Sequence, residues 1–156
     1  MPTDTITMTP IGVVSSPRTD LSDDDWGSVE STIIITSPDL RDDALLGLDT
    51  FSHLDVVFYF NRVTADDIEH GARRPRGRQE WPLVGILAQR AKARPNRIGV
   101  SCCRLISVNG REIRVQGLDA INHTPVLDVK PCMREFQPIG DVTQPAWSHE
   151  LMKDYY

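Results

Sequence analysis

Asn109-Gly110 separates two stretches of alternating apolar and polar residues, 101–108 and 111–117, and no other pattern in the chain constrains its fold as tightly. Asn-Gly best tolerates positive φ at both central positions of a type I′ turn, whose twist matches that of paired antiparallel strands. A β-hairpin is therefore expected. In its second arm Ile113 and Val115 share one face while Glu112, Arg114 and Gln116 share the other, so one face meets a core and the other meets water.

Residues 10–14, 31–36, 54–60, 83–88 and 126–129 are short, β-branched or apolar runs bounded by turn formers, and each predicts a strand. The run 54–60 is expected to be buried on both sides. Residues 39–46 predict one or two helical turns ended by Gly47, where a left-handed conformation is cheap. Trp147, Leu151 and Tyr155, at i, i+4 and i+8, predict a C-terminal helix that docks on the rest of the fold or on a partner subunit. Six or seven short strands with little helix need closure to remove exposed edges. The fold class expected is mainly β: a single-sheet antiparallel β-barrel with short helices and a C-terminal helix, one domain over residues 1–156. A Rossmann sheet is excluded, because no Gly-x-Gly-x-x-Gly follows the first strand and strands do not alternate with helices.

Cys102 and Cys103 are adjacent and Cys132 stands apart, a spacing that suits neither a mutual bridge nor a shared tetrahedral metal. Reduced, buried thiols and no metal are expected. Residues 1–10 lack a basic segment followed by an apolar one, and the run 54–60 is too short to span a bilayer, so a cytoplasmic protein without membrane contact is expected.

The net charge of −5 argues against general affinity for polyanions, yet the charge is uneven. Arg73, Arg74, Arg76, Arg78, Arg90, Lys92, Arg94, Arg97 and Arg104 fall in one stretch with Glu80 as its only acid, while Asp20, Asp23, Asp24 and Asp25 crowd an earlier loop. Residues 64–81 are polar and rich in Arg, Gly and Pro, too long for an idle connection. They predict a substrate loop, or a merely solvated face.

Four ordered motifs carry a resemblance. Pro10, Ile11, Gly12, Val13 and Val14 open the first strand; Gly47, Leu48, Phe51, Ser52, His53 and Leu54 lead into the third; Arg90, Arg94, Pro95, Asn96, Ile98 and Gly99 form a third motif; Leu118, Asp119, Thr124, Pro125, Val126, Asp128, Lys130 and Pro131 form a fourth. With these motifs the sequence resembles the TsaA-like (TrmO-type) methyltransferases, whose characterised members methylate threonylcarbamoyladenosine beside the tRNA anticodon. The resemblance implies a homodimer with S-adenosyl-L-methionine bound near the subunit interface, in a short form lacking the C-terminal domain of the bacterial tRNA enzymes.

By positional match, Arg90, the backbone around Val100, and the turn of Asp119, Ala120, Ile121 and Asn122 would hold the cofactor's carboxylate and sugar, with Phe60 and Asn61 lining the site. Trp26 and Gly27, in the loop where the family carries a Gln-Pro-Gly-type segment, join that set. The residue chemistry is apt: an arginine fork suits a carboxylate, Asp119 can accept from ribose hydroxyls or the amino group, and Phe60 or Trp26 can cover adenine or the sulfonium. Equally, Trp26 could be ordinary core, His53 a core histidine, and Asp128 with Lys130 a strand salt bridge.

Methyl transfer from a sulfonium needs no nucleophilic side chain. If the acceptor nitrogen must lose a proton, Asp119, His53 and His123 are the ionisable candidates within the motifs. Were the acceptor RNA, Arg73, Arg74, Arg76 and Arg78 would clamp phosphate, with His70 near the modified base. The family pattern is broken at Ala91, Lys92, Ala93 and Arg97, at Asn61 where a histidine is usual, and at Ser15 to Pro17 where Arg-Ser-Pro is usual. The changes at Asn61 and at 91–97 favour an alternative, a small-molecule N-methyltransferase with the same barrel and a changed pocket; a non-catalytic cofactor-binding module is a third reading.

Overall fold

A computed structural model describes residues 4–156, whose six longest strands close into one antiparallel barrel. The strands are β1 (Gly12–Ser15), β2 (Glu30–Ile35), β3 (His53–Tyr59), β6 (Ile98–Asn109), β7 (Glu112–Gln116) and β8 (Pro125–Pro131). Around the barrel the order is β1-β2-β7-β6-β3-β8, and β8 returns to pair with β1. Closure removes the edges that six such short strands would otherwise expose.

Two further strands, β4 (Ala72–Arg73) and β5 (Val84–Gly85), pair with each other outside the barrel. Helix α1 (Ala146–Met152) lies near the C-terminus. No helix among the described residues is long and apolar enough to cross a membrane.

Alternation along each strand sends one set of side chains inward. Val14, Ile33, Ile35, Leu54, Val56, Phe58, Cys103, Ile113, Val115 and Val126 fill the barrel, with Leu118 and Ala120 from the segment after β7. The expected faces of β7 are observed, with Ile113 and Val115 buried and Glu112 and Arg114 exposed.

The hairpin forms, but its turn lies one residue later than expected. Asn109 pairs with Glu112, leaving Gly110-Arg111 as the two-residue loop. Only Gly110 takes positive φ, +59°, as a type II′ turn requires of its first central residue.

Other local expectations are corrected. Residues 39–46 form a series of turns, and Gly47 (φ +85°) begins a single 3-10 turn at Leu48–Thr50 rather than ending a helix. Of residues 83–88 only Val84–Gly85 is strand, and Ile86–Ala88 is a 3-10 turn. Strand β3 is buried on one face only, since Asp55, Val57 and Tyr59 point outward and are half-buried. Among the thiols, Cys103 alone is buried, because β6 turns Cys102 to the opposite, outer face.

Candidate cofactor and substrate site

Asp119 is the point on which several elements converge. It follows Leu118 at one end of the barrel, where its carboxylate accepts hydrogen bonds from the Ser101 hydroxyl of β6 and from the Tyr155 hydroxyl of the C-terminal tail. Burial and the Asp119 charge both push the Tyr155 phenol far above its ordinary range, so it remains a proton donor throughout the physiological range.

The turn after Asp119 is held by the first strand's exit. Asn122 donates its N–H to the Arg18 carbonyl (2.7 Å), and its side-chain oxygen accepts from the Ser16 N–H (3.1 Å). Ala120 is buried, and Ile121 and Asn122 are half-buried. Arg90 reaches from outside the barrel and donates from Nη2 to the Val100 carbonyl (2.6 Å). Its guanidinium and the Asp119 carboxylate act in opposite directions on Tyr156, whose phenol is pushed up to about 12, chiefly by burial. Arg90 and Asp119 are thus tied to consecutive residues of β6, Val100 and Ser101, and Asp119 is tied to Tyr155.

The terminal residues are the part of this site that motif matching missed. The Asp25 and Trp26 N–H groups donate to the carbonyls of Asp154 (2.9 Å) and Tyr155 (2.8 Å), stitching the tail to the acidic loop. At Gly27 the backbones press so close that an added Cβ would stand 2.6 Å from the Tyr156 carbonyl carbon. Helix α1 is pinned by the Trp81 indole N–H, which donates to Glu150 (2.8 Å). The tail thus docks on the barrel of its own chain, as the i, i+4, i+8 spacing allowed. Tyr155 lies beyond the end of the helix. Tyr155→Phe is expected to destabilise the fold by about 1 kcal/mol, the usual worth of one hydrogen bond, detectable as a lower urea midpoint.

Phe60 packs edge-on against Phe58 (centroids 5.3 Å apart, planes at 81°). Gly99 makes that packing possible, since a Cβ there would stand 2.5 Å from the Phe58 ring and 2.9 Å from the Phe60 ring. Asn61 is exposed just beyond. Trp26 is buried, its ring face covered by the Arg18 guanidinium at 3.8 Å and its indole N–H spent on the Asp23 carbonyl (3.1 Å). That is the environment of a loop core.

Among the described residues Asp119 bonds Ser101 and Tyr155, and neither His53 nor His123 bonds it. His53 is exposed on the outer face of β3 with Nδ1 2.7 Å from the Ser52 hydroxyl, so it is no core histidine. His123 is exposed in the turn before β8, at φ +66°. Lys130 pairs with Asp128 across 2.7 Å, as a strand salt bridge would.

Three of the four loop arginines are already partnered. Arg76 forks onto Asp24 (2.8 and 3.1 Å), which holds its guanidinium in the charged form; Arg74 donates to the Trp81 carbonyl (2.5 Å); Arg78 pairs with Glu80 (2.6 Å) and lies over the Trp81 ring at 4.8 Å. Arg73 is half-buried and His70 exposed.

Two concavities, of about 470 and 270 Å³, lie away from this neighbourhood. One is an open groove along Asp42, Asp43, Leu46 and Gly110, the other an apolar recess among Ile11, Leu40 and Leu48. Neither is lined by Asp119 or Arg90. That pair fits a zwitterionic nucleoside: two hydroxyl bonds leave a carboxylate further acceptor positions, and one bond to Val100 leaves Arg90 most of its five donors.

Comparison with known proteins identifies the family. Residues 22–137 match the family described as tRNA-methyltransferase O N-terminal domain. The chain is 34% identical to the "Probable S-adenosyl-L-methionine-binding protein" of Methanothermobacter thermautotrophicus, over 86% of this chain and 96% of that one. It is 31% identical to the human tRNA (adenine(37)-N6)-methyltransferase over 72% of its own length, but spans only 25% of that protein. The crystal structure of TrmO from Pseudomonas aeruginosa superposes with a TM-score of 0.72 at 26% identity, covering 90% of this chain and 61% of that one.

Proposed function

This chain belongs to the tRNA-methyltransferase O N-terminal domain family, and from that premise we propose that it methylates a nitrogen of threonylcarbamoyladenosine, or of a related modified adenosine, in tRNA. It is an S-adenosylmethionine-dependent methyltransferase. The single observation that carries the site is the convergence of Asp119 with Ser101, Tyr155 and the neighbouring Arg90 at one end of the barrel.

The cofactor supplies an electrophilic methyl group. The chain's own residues bind and orient: Arg90 offers a guanidinium to the carboxylate, Asp119 accepts from ribose hydroxyls, and the Phe60 edge offers apolar cover. Ser101 and Tyr155 hold the Asp119 carboxylate in one orientation, and Tyr155 keeps its proton while doing so. Holding two reactants in near-attack geometry can by itself supply a large part of a rate enhancement. Of the three proton-acceptor candidates, Asp119 is the one that Ser101 and Tyr155 hold in place. We place the reaction in a cytoplasmic homodimer whose cofactor site lies near the interface.

A second reading is a small-molecule acceptor. The observation favouring it is that Arg76 and Arg78 are neutralised by Asp24 and Glu80 within the chain, which weakens a phosphate clamp.

Incubation with methyl-labelled cofactor and either total tRNA lacking the methylated base or a pool of cellular small molecules separates the two. Label in the tRNA is expected; label in the small-molecule pool alone would remove the RNA reading. Arg78, the exposed member of the loop set, gives an independent check. Arg78→Ala is expected to reduce the salt slope of tRNA binding by about 1, as loss of one phosphate contact does. An unchanged slope would show that Arg78 does not face the RNA.

A further inference from the structure

Two cysteines from distant parts of the chain meet on the outer wall of the barrel, on the face of β6 opposite the Ser101 hydroxyl that bonds Asp119. Cys102 and Cys132 direct their sulfur atoms toward the Asp55 carboxylate, and the three donor atoms all lie within 4.8 Å of one another. The sheet register explains the meeting. Asp55 of β3 pairs with Cys102 of β6 on one side, while on the other the Cys132 N–H donates to the His53 carbonyl (2.9 Å) just after β8 ends.

A disulfide does not suit this arrangement. The two cysteines flank β3, so their Cα atoms are roughly two strand spacings apart, about 9.6 Å, beyond the ~7 Å that a disulfide can bridge without backbone movement. A metal ion can bridge them. Metal–sulfur bonds of about 2.3 Å place two tetrahedral thiolates roughly 3.8 Å apart, which side-chain rotation here can reach. Cys103 takes no part, because it faces the core from the other side of β6.

We propose that Cys102, Cys132 and Asp55 form a site for a soft divalent cation of the zinc type. A solvent molecule completes the coordination; His53 shares the outer face of β3 but is not among the three donors that lie within 4.8 Å of one another. Lys130, opposite Asp55, turns its ammonium to Asp128 instead, so it does not supply the cluster's counter-charge.

Two thiolates with one carboxylate select zinc-like ions over magnesium or calcium. The bound ion would clamp β6, β3 and β8 together, two residues along β6 from Val100.

The test is a cobalt(II) titration of the reduced, chelator-stripped full chain, followed by zinc displacement. A thiolate-to-cobalt charge-transfer band saturating at one ion per chain is expected. Cys102→Ser and Cys132→Ser should each weaken binding by more than about tenfold and diminish the band, whereas Cys103→Ala should leave it unchanged. Asp55→Asn, nearly isosteric, should weaken binding while both thiolates remain, and it decides the matter if a cysteine variant fails to fold. Absence of the band in the parent chain, or an unchanged affinity in Asp55→Asn, would overturn the proposal. So would a Cys102–Cys132 disulfide formed under mild peroxide, which would make the pair a redox bridge.

Discussion

Asp119→Ala is expected to lower affinity for S-adenosyl-L-methionine by on the order of 10²-fold and to abolish measurable methyl transfer. Hydrogen bonds to a charged group contribute about 1.5–3 kcal/mol each, so losing those to a ribose costs about 3 kcal/mol, and every 1.4 kcal/mol is tenfold in binding. The substitution also strands the hydroxyls of Ser101 and Tyr155, both of which donate to this carboxylate. The tail should loosen as a result. Asp119→Asn separates the two effects, because it retains acceptor capacity for the tail while removing the charge. A variant that melts normally yet binds weakly places the loss at the site. Normal cofactor affinity in both variants would remove Asp119 from the binding set.

Phe58→Ala carries the largest expected effect on stability. Phe58 is 1% exposed at the heart of the barrel, and its ring supports Phe60 on one side and fills the space above Gly99 on the other. Truncating a buried phenylalanine costs about 3–5 kcal/mol through lost transfer energy and the cavity left behind. For a chain of this size the melting temperature should fall by roughly 10 °C. Released from its edge-on partner, Phe60 should also lose its fixed orientation, and if it lines the cofactor site as proposed, cofactor affinity should fall together with stability. A loss below about 1 kcal/mol would mean that the barrel interior is not packed as described.

The barrel was legible in the sequence because its signals are local. The alternation in residues 112–116 set the inward face of β7, and short β-branched runs marked β1, β2 and β3. The misplaced details are those that local signals underdetermine. Asn109-Gly110 announced a hairpin, but the pairing of Asn109 with Glu112 moved the loop onto Gly110-Arg111. Leu83 to Ala88 is apolar enough for a strand, yet only two of its residues find a partner, in β4.

The motifs around Arg90 and Asp119 were equally legible, but their surroundings were not. Nothing near Asp119 in sequence announces Tyr155, which reaches it from 36 residues away, or the backbone contact between Gly27 and Tyr156 that makes a glycine necessary there. The convergence of Cys102 with Cys132 was hidden for the same reason. Spacing describes one strand at a time, whereas two strands flanking a third meet only through register.

The most direct test of the account is calorimetric titration of the parent chain with S-adenosyl-L-methionine, run beside Asp119→Ala. The account predicts saturable heat in the parent, and binding weakened on the order of 10²-fold in the variant. No heat in the parent chain, or equal affinity in the two proteins, would contradict it.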